Sequence, residues 1–361
     1  KKYKIDELDF NIIWENSSKS REFKKLNNFF WFFSLDLKSS KKSTQLVISN
    51  WIHKNSNYKK ESWEFDVTAK RIISWLSNHH LTYNESNDEY KSIFNHMIQK
   101  QTNHLINEIK NSKSLEDKII GCSAIILVGL SYKIEKNYLN FGLNFLKKIL
   151  KHSIDNQGFS RSRNIRQQIF YLKYFILIRE WFKESLFEVP EHIDETIYYL
   201  GQAYSYFWQN TQVNLLFNGN NNSNNQDFDN YLKRLGYKFK NENKDYCGYT
   251  ILQNKKICLV MDTGSSPEFK YSKDYQSGAL SFEIVSNGKK LISNCGYYKK
   301  GNQKLNQLSK SSATHSTLVI DDNSSCKFLQ KKDMWILKTG LKITEKKSIY
   351  EKNYWKITAV H

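Results

Sequence analysis

Residues 280–293 read Leu-Ser-Phe-Glu-Ile-Val-Ser-Asn-Gly-Lys-Lys-Leu-Ile-Ser. Two strand-like runs, 280–285 and 289–293, flank the pair Asn287-Gly288. An Asn-Gly pair supplies the left-handed backbone that a two-residue hairpin turn needs, so this stretch predicts a β-hairpin. Further runs with a period of two, or of strand-like composition, lie at 248–253, 257–262, 316–320, 334–338 and 354–360. Frequent turns without intervening helices predict an antiparallel β-sandwich over residues 246–361.

The N-terminal part of the chain has a helical period instead. Apolar residues recur at spacings of three and four, and the segment 115–132 is apolar almost throughout from Ile119 onward, which predicts a buried central helix. Short loops favour antiparallel helical hairpins, which can close into a ring or curve into a solenoid. We therefore predict a helical domain over residues 1–217. Residues 218–245 are predicted as a linker with a short helix, because Asn218–Asn225 is a polar, asparagine-rich run typical of an exposed loop.

Composition limits the classes of partner. The 361 residues include 55 lysines and arginines against 36 aspartates and glutamates, a net charge of +19. A basic surface favours polyanions such as nucleic acid, anionic lipid or acidic polysaccharide, although lysine and asparagine are spread so evenly that compositional drift explains the charge equally well. The sequence has no zinc finger, no glycine-rich RNA-binding signature and no concentrated basic helix, so a nucleic-acid partner is not predicted. It also has no apolar run of about eighteen residues, so no membrane span is predicted.

The cysteines and the chain ends leave the cellular compartment open. The sequence has five cysteines and no Cys-x-x-Cys pair, which argues against a thiolate zinc site and favours buried free thiols. A bridge between Cys247 and Cys258 stays open as an alternative. Because the first residue is Lys1, we expect that the natural N-terminus, and with it any signal peptide, lies upstream. The apolar residues 356–361 suggest that the chain stops within a strand.

Two segments resemble the heparinase II/III-like family of polysaccharide lyases. Asp155-Asn-Gln-Gly-Phe-Ser-Arg-Ser162 is similar to the family's Asp-Gly-Gly-x-Phe-x-Arg-Ser. The second segment is similar, in order and spacing, to the family's His-x-Asp-x-x-Ser-Phe, Asn-Gly, Asp-x-Gly and Ala-His-Asn-Thr-Val, and consists of Gln276–Glu283, Asn287-Gly288, Asn294–Tyr298 and Thr314–Asp321. The resemblance implies an incomplete α/α toroid followed by antiparallel sheets, with an acidic polysaccharide bound in the cleft between them.

The family reaction is a β-elimination, in which a base removes the C5 proton of a uronate while its carboxylate is neutralised and the O4 leaving group is protonated. The resemblance places Ile165 and Arg166 at the family's Tyr-His pair, and Asp274 near its catalytic histidine. The family's metal-ligand positions hold Gln276 and Asn294, and of that set this chain keeps His315. Two amides and one imidazole make a poor zinc site, so neither a metal nor another cofactor is expected.

We therefore expect relocated catalytic groups, namely Asp274, Tyr275 and His315. The expected substrate-binding residues are the guanidinium groups that would clamp a carboxylate or sulfate and the polar groups near them: Arg161, Arg163, Arg166, Gln276, Asn294 and Tyr298. Each has a plainer interpretation as well. The arginines could form a solvated helix end, Asp274 a turn, and His315 a hydrogen-bonded structural contact.

The leading hypothesis is a polysaccharide lyase that cleaves an acidic, uronate-containing glycan by β-elimination. The alternative is a non-catalytic glycan-binding or envelope-assembly protein on a lyase scaffold, because isoleucine at the tyrosine position cannot carry a proton. The family suggests the periplasm or cell envelope, while the sequence leaves a cytoplasmic location open. It specifies neither the sugar, nor the linkage, nor the oligomeric state.

Overall fold

The computed structural model describes residues 14, 21–35, 40–132, 136–221, 225–298, 303–331, 334–351 and 354–361. Helices come first and antiparallel strands follow from residue 245, which confirms the predicted order of elements. The chain forms two compact units, residues 1–150 with 176–190, and residues 151–175 with 191–361. The domain boundaries at residues 217 and 246, the closure of a toroid and the sandwich packing of the sheets stay predictions.

The described helices are named in chain order. They are α1 (Arg21–Asn27), α2 (Lys41–Asn55), α3 (Phe65–Ser77), α4 (His79–Thr82), α5 (Asp88–Glu108), α6 (Leu115–Ser131), α7 (Lys136–Ser153), α8 (Ile165–Glu184), α9 (Glu191–Tyr204), α10 (Gln226–Arg234) and α11 (Gln303–Ser309). A π-helical turn at Ser205–Gln209 follows α9, and 3-10 turns lie at Phe30–Ser34, Phe269–Asp274 and Ser312–Thr314. Within the described ranges, none of the helices has the length and apolar character to cross a membrane.

The first unit is built around α6, as the apolar run predicted. Every residue from Ile119 to Leu130 is buried. Gly121 allows α3 to approach, because a Cβ atom at Gly121 would lie 2.4 Å from the ring of Phe65. Ser114 begins α6 by accepting a hydrogen bond from the backbone N–H of Asp117, which satisfies one of the otherwise unpaired amides of the first turn.

A buried arginine ties together the polar groups of the first unit. Arg71 on α3 is fully buried, and its guanidinium lies 3.9 Å from the ring centroid of Trp51. It donates hydrogen bonds to Gln101 Oε1 at 2.8 Å and to the carbonyl oxygens of Asn27 and Ser62 at 2.8 and 3.0 Å. Burial without a carboxylate partner lowers the pKa of Arg71 well below its usual value. With Thr68 Oγ1 at 3.2 Å included, the planar guanidinium thus satisfies four buried acceptors.

We expect Arg71→Met to lower the free energy of unfolding by about 2–4 kcal/mol, because several buried acceptors lose their donor. Urea unfolding followed by circular dichroism measures the change. Arg21→Met, at an exposed arginine of α1, is the matched control and should leave the midpoint unchanged. Equal midpoints for Arg71→Met and the wild type would show that the guanidinium bonds do not stabilise the unit.

The second unit contains all described strands. A five-stranded antiparallel sheet follows chain order, and two separate hairpins come after it. The strands are β1 (Asp245–Tyr246), β2 (Tyr249–Gln253), β3 (Ile257–Asp262), β4 (Phe282–Ser286), β5 (Lys289–Ile292), β6 (Lys327–Lys331), β7 (Met334–Thr339), β8 (Glu345–Tyr350) and β9 (Trp355–Val360). Asn287 and Gly288 have φ values of 48° and 74°, so the predicted hairpin turn between β4 and β5 is confirmed.

One predicted strand is wrong, and the state of the cysteines is largely as predicted. The strand predicted at 316–320 is absent, since the backbone N–H of Ser316 binds the side chain of Asn294 at 3.0 Å and the segment makes only an isolated bridge between Ile320 and Asn323. All five cysteines are free thiols, as the sequence favoured, and the alternative bridge between Cys247 and Cys258 does not form. The expected burial is wrong for Cys295, which is exposed.

Candidate functional site

A buried ion pair joins the segment before α8 to the sheet of the second unit. Arg163 Nη1 lies 2.9 Å from Asp262 Oδ1 at the end of β3. The guanidinium also donates to the carbonyl oxygens of Gly248 at 2.9 Å and Gly264 at 3.0 Å, and its carbon lies 4.7 Å from the ring centroid of Tyr249. A Cβ atom at Gly264 would lie 2.4 Å from Arg163 Nη2, so the glycine makes room for the cation.

The asparagine-rich stretch is part of this buried network. Asn218 Nδ2 donates to Asp262 Oδ2 at 2.7 Å and to the hydroxyl of Tyr249 at 2.8 Å. Asn220 donates to the carbonyl of Leu215 at 2.7 Å. Both asparagines are buried, as is Asn225. The expectation of an exposed loop is therefore wrong at these three positions, since each amide replaces water with protein acceptors.

Asp274 lies in a second polar cluster, which the same stretch helps to position. Asp274 is the last residue of the 3-10 turn 269–274. Its carboxylate accepts a hydrogen bond from Asn164 Nδ2 at 3.2 Å. Gly219 packs against both residues, since a Cβ atom there would lie 2.5 Å from Asn164 Nδ2 and 2.9 Å from Asp274 Cβ. The backbone of Gly219 donates to Gln276 Oε1 at 3.1 Å.

Lys310 and Tyr297 extend this cluster, and the sequence analysis identified neither. Lys310 is 3% exposed, and its Nζ donates to the carbonyl oxygens of Lys273 and Tyr275, both at 2.8 Å. Burial lowers the pKa of Lys310 to about 7, although the charge of Asp274 opposes the shift. Lys310 Nζ lies 5.3 Å from the ring centroid of Tyr297. Burial also raises the pKa of Tyr297, and the charge of Asp274 raises it further.

The surroundings of Lys310 fit a neutral amine. A neutral amine has two N–H donors and one lone pair, and the two carbonyl acceptors match the two donors. Lys310 lines a cavity of about 510 Å³, whose other lining residues include Leu308, Cys326, Phe328 and Trp335. A proton-exchanging group at near-neutral pH thus borders a space large enough for part of a ligand.

The three arginines that were predicted to bind a substrate carboxylate interact with different parts of the second unit. Arg163 is committed to Asp262 and to backbone carbonyls, and a substrate carboxylate would have to displace these bonds. Arg161 donates through Nε to the carbonyl of Ile154 at 3.1 Å. Arg166 lies in the first turn of α8, and its charge opposes the rise in the pKa of Tyr297, so it is the predicted clamp that accompanies the Asp274 cluster.

The remaining predicted residues are also distributed. Tyr275 is 1% exposed and packs with Cys326 and Leu337, and burial raises its pKa well above the usual value. Tyr298 is exposed. The roles predicted for all of these residues, that of Tyr275 as a base included, stay predictions.

Gln276, Asn294 and His315 do not fit zinc. Gln276 Oε1 accepts from Gly219, and its Nε2 donates to the carbonyl of Gly296 at 2.9 Å and to that of Ser309. A ring nitrogen of His315, Nε2, lies 3.2 Å from the carbonyl of Ser309. Burial lowers the pKa of His315 to about 4. The amide of Gln276 is fully used in hydrogen bonds, and among the described residues no three histidine, cysteine or carboxylate side chains group as metal ligands.

We expect the purified protein to contain zinc well below one equivalent, because amide ligands bind zinc weakly. Elemental analysis of protein dialysed against metal-free buffer measures the content. One equivalent of zinc in the wild type, lost in His315→Ala, would contradict this assignment.

Lys310 should make the stability of the protein rise with pH above neutrality. Its pKa is about 7 in the folded chain and near the ordinary 10.5 when unfolded. Between these values the unfolded state binds a proton that the folded state lacks, so the free energy of unfolding increases with pH. Below pH 7 both the folded and the unfolded state hold the proton, so the buried charge of Lys310 lowers the free energy of unfolding by its full amount.

Lys310→Met removes this titration. Its stability relative to the wild type should fall by roughly 2–4 kcal/mol from about pH 7 to about pH 10. Urea unfolding across this range measures the difference, and Lys338→Met, at an exposed lysine of β7, should show no such trend. A constant difference would mean that Lys310 titrates normally.

Known proteins are similar to this chain in sequence over its C-terminal third and in structure over most of its length. Residues 241–361 match the model of the family described as heparinase II/III-like, C-terminal. No curated protein matches the sequence. Heparinase III is similar in structure, with 17% identity, a TM-score of 0.66, and coverage of 88% of this chain and 59% of that chain.

Two further structures are similar. Heparan sulfate lyase HepC from Pedobacter heparinus has 14% identity and a TM-score of 0.61, with coverage of 91% of this chain and 58% of that chain. A heparinase III gene product has 15% identity and a TM-score of 0.67, with coverage of 97% and 60%. The chain thus spans about three fifths of the length of these proteins, and at such identities the likeness concerns the fold alone. Residues 241–361 are therefore similar to the heparinase II/III-like C-terminal family, and the fold of the chain is similar to that of heparinase III.

Proposed function

We propose that the protein is a polysaccharide lyase that cleaves a uronate-containing glycan by β-elimination. The family of residues 241–361 and the likeness to a heparan sulfate lyase support this class of substrate. The net charge of +19 is consistent with an anionic chain as ligand, because a positive surface attracts polyanions.

The observation that carries the proposal is the cluster of Lys310, Tyr297 and Asp274, in which Lys310 also lines a cavity. Arg166 interacts electrostatically with Tyr297 of this cluster. A lyase needs a base that is partly neutral at the working pH, and an amine with a pKa of about 7 meets that need. A guanidinium can pair with the uronate carboxylate and so make the C5 proton more acidic.

The reaction assigns each group a task. The neutral amine of Lys310 takes the proton from C5. The electron pair of the C5–H bond forms the C4–C5 double bond, the C4–O4 bond breaks, and O4 receives the proton of the Tyr297 hydroxyl, whose raised pKa keeps it protonated. Arg166, or Arg161, holds the carboxylate during this change. The charge of Asp274 raises the pKa of both Lys310 and Tyr297.

One observation favours glycan binding without cleavage. Ile165, at the family's tyrosine position, is buried in an apolar cluster with Phe159 and Tyr206. This position can therefore supply packing but no proton transfer. Binding alone would need the basic surface and the cavity, whereas cleavage additionally needs Lys310 to reach C5 and Tyr297 to reach O4.

Incubation with heparan sulfate, hyaluronan, chondroitin sulfate, alginate and polygalacturonate tests the proposal. Cleavage produces an unsaturated uronate, which raises ultraviolet absorbance. We expect this for at least one polymer, with a rate that increases with pH up to about 7 as Lys310 loses its proton. Lys310→Met should lower the rate about a hundredfold or more, and Arg166→Ala should lower it strongly.

Lys338→Met is the matched control and should retain the wild-type rate. Calorimetric titration with the same polymers separates the two candidate functions. Binding without any rise in absorbance would replace the lyase proposal with the binding one. Cleavage that Lys310→Met leaves intact would remove Lys310 from the mechanism.

A further inference from the structure

A second cavity in the second unit, of about 500 Å³, has a lining unlike that of the first. Three tyrosines contribute to it, Tyr198, Tyr199 and Tyr246. Side-chain amides make up half of the remaining lining residues, namely Gln157, Gln202, Asn241 and Asn243. The proposed lyase chemistry uses none of these residues, although Gln157 belongs to the Asp155–Ser162 segment.

Two of the tyrosines are adjacent on α9 and present their rings to solvent. Tyr198 is 59% exposed and Tyr199 is 39% exposed. Their ring centroids lie 5.4 Å apart with an interplanar angle of 75°, so the pair forms an L-shaped aromatic surface. A tyrosine ring combines a broad apolar face with little conformational freedom, and such exposed aromatic pairs mark binding surfaces.

The backbone beside Tyr199 holds this surface in place. Gly158 has a φ of +76° and packs so closely that a Cβ atom there would lie 2.3 Å from Tyr199 Cβ. The turn that contains Gly158 is fixed by Asp155, whose Oδ1 accepts from the backbone N–H groups of Gln157 and Phe159, both at 2.9 Å. The platform is therefore ordered before any ligand arrives, which lowers the entropic cost of binding.

The polar lining suits an uncharged ligand. Gln157 and Asn243 are exposed at the cavity, and each amide offers both donors and an acceptor, which is what a sugar hydroxyl requires. Among the described lining residues the charged ones are Asp245 and Lys346, and these two form an ion pair with each other. An anionic glycan would thus meet no net positive charge from this lining.

We propose that this cavity binds a neutral oligosaccharide, with a pyranose ring stacked on the Tyr198–Tyr199 surface. The C–H face of the sugar lies against an aromatic ring, and its hydroxyls bind the amides of Gln157, Gln202 and Asn243. The site requires no lyase activity, because its ligand carries no uronate and none of its residues belongs to the Lys310 cluster.

Saturation-transfer difference NMR on the whole chain, with cellohexaose, maltohexaose and chitohexaose in turn, tests the site. We expect at least one of them to bind, with an affinity that calorimetry finds insensitive to salt. Tyr198→Ala should weaken that binding roughly tenfold, and Gln202→Ala should weaken it as well. Tyr354→Ala, at an exposed tyrosine that does not line the cavity, is the matched control and should bind as the wild type does.

Circular dichroism first confirms that each variant is folded. The proposal is overturned if none of the three hexasaccharides binds at millimolar concentration, or if binding is the same in Tyr198→Ala and Gln202→Ala as in the wild type. It is also overturned if binding disappears with added salt, because that result identifies a charged site elsewhere. All of these outcomes are independent of whether an acidic glycan is cleaved.

Discussion

The ion pair between Arg163 and Asp262 is the contact on which the geometry of the second unit depends. Removing two charges from water costs several kcal/mol for each ion, and this cost is offset only when the remaining donors and acceptors are satisfied. Here Asn218 occupies the second oxygen of Asp262, and backbone carbonyls take further guanidinium N–H groups. Because Asn164 follows Arg163 directly, the pair also determines where Asn164 meets Asp274.

The order of helices and strands could be predicted because hydrophobic periodicity reports burial directly. The apolar run of α6 and the Asn287-Gly288 turn are examples in which one local signal decided the structure. The segment 316–320 shows the limit of that signal. Its alternation resembles a strand, but the side chain of Asn294, distant in sequence, takes the backbone N–H of Ser316 and removes it from any ladder. Periodicity cannot anticipate a long-range partner of this kind.

The candidate site was predictable only where a motif marked it. Asp274 was found from its alignment with a family histidine, and the structure places it in the polar cluster. Lys310 carried no signal, because one lysine among many has no distinguishing pattern, and its low pKa arises from burial that only the fold creates. For Arg163 the motif was misleading. Its sequence context suggested that it binds a ligand carboxylate, whereas in the structure its guanidinium pairs with Asp262.

The two Asn-Gly pairs of the second unit should deamidate at different rates. Asparagine before glycine deamidates readily, because the following backbone nitrogen can attack the side-chain amide when the chain is free to bend. Asn287 lies in an exposed turn that permits this attack. Asn218 is buried, and its amide is held by Tyr249 and Asp262. Conversion of Asn218 to aspartate would set two carboxylates against each other inside the network, so the packing that builds the site also protects it from slow chemical decay.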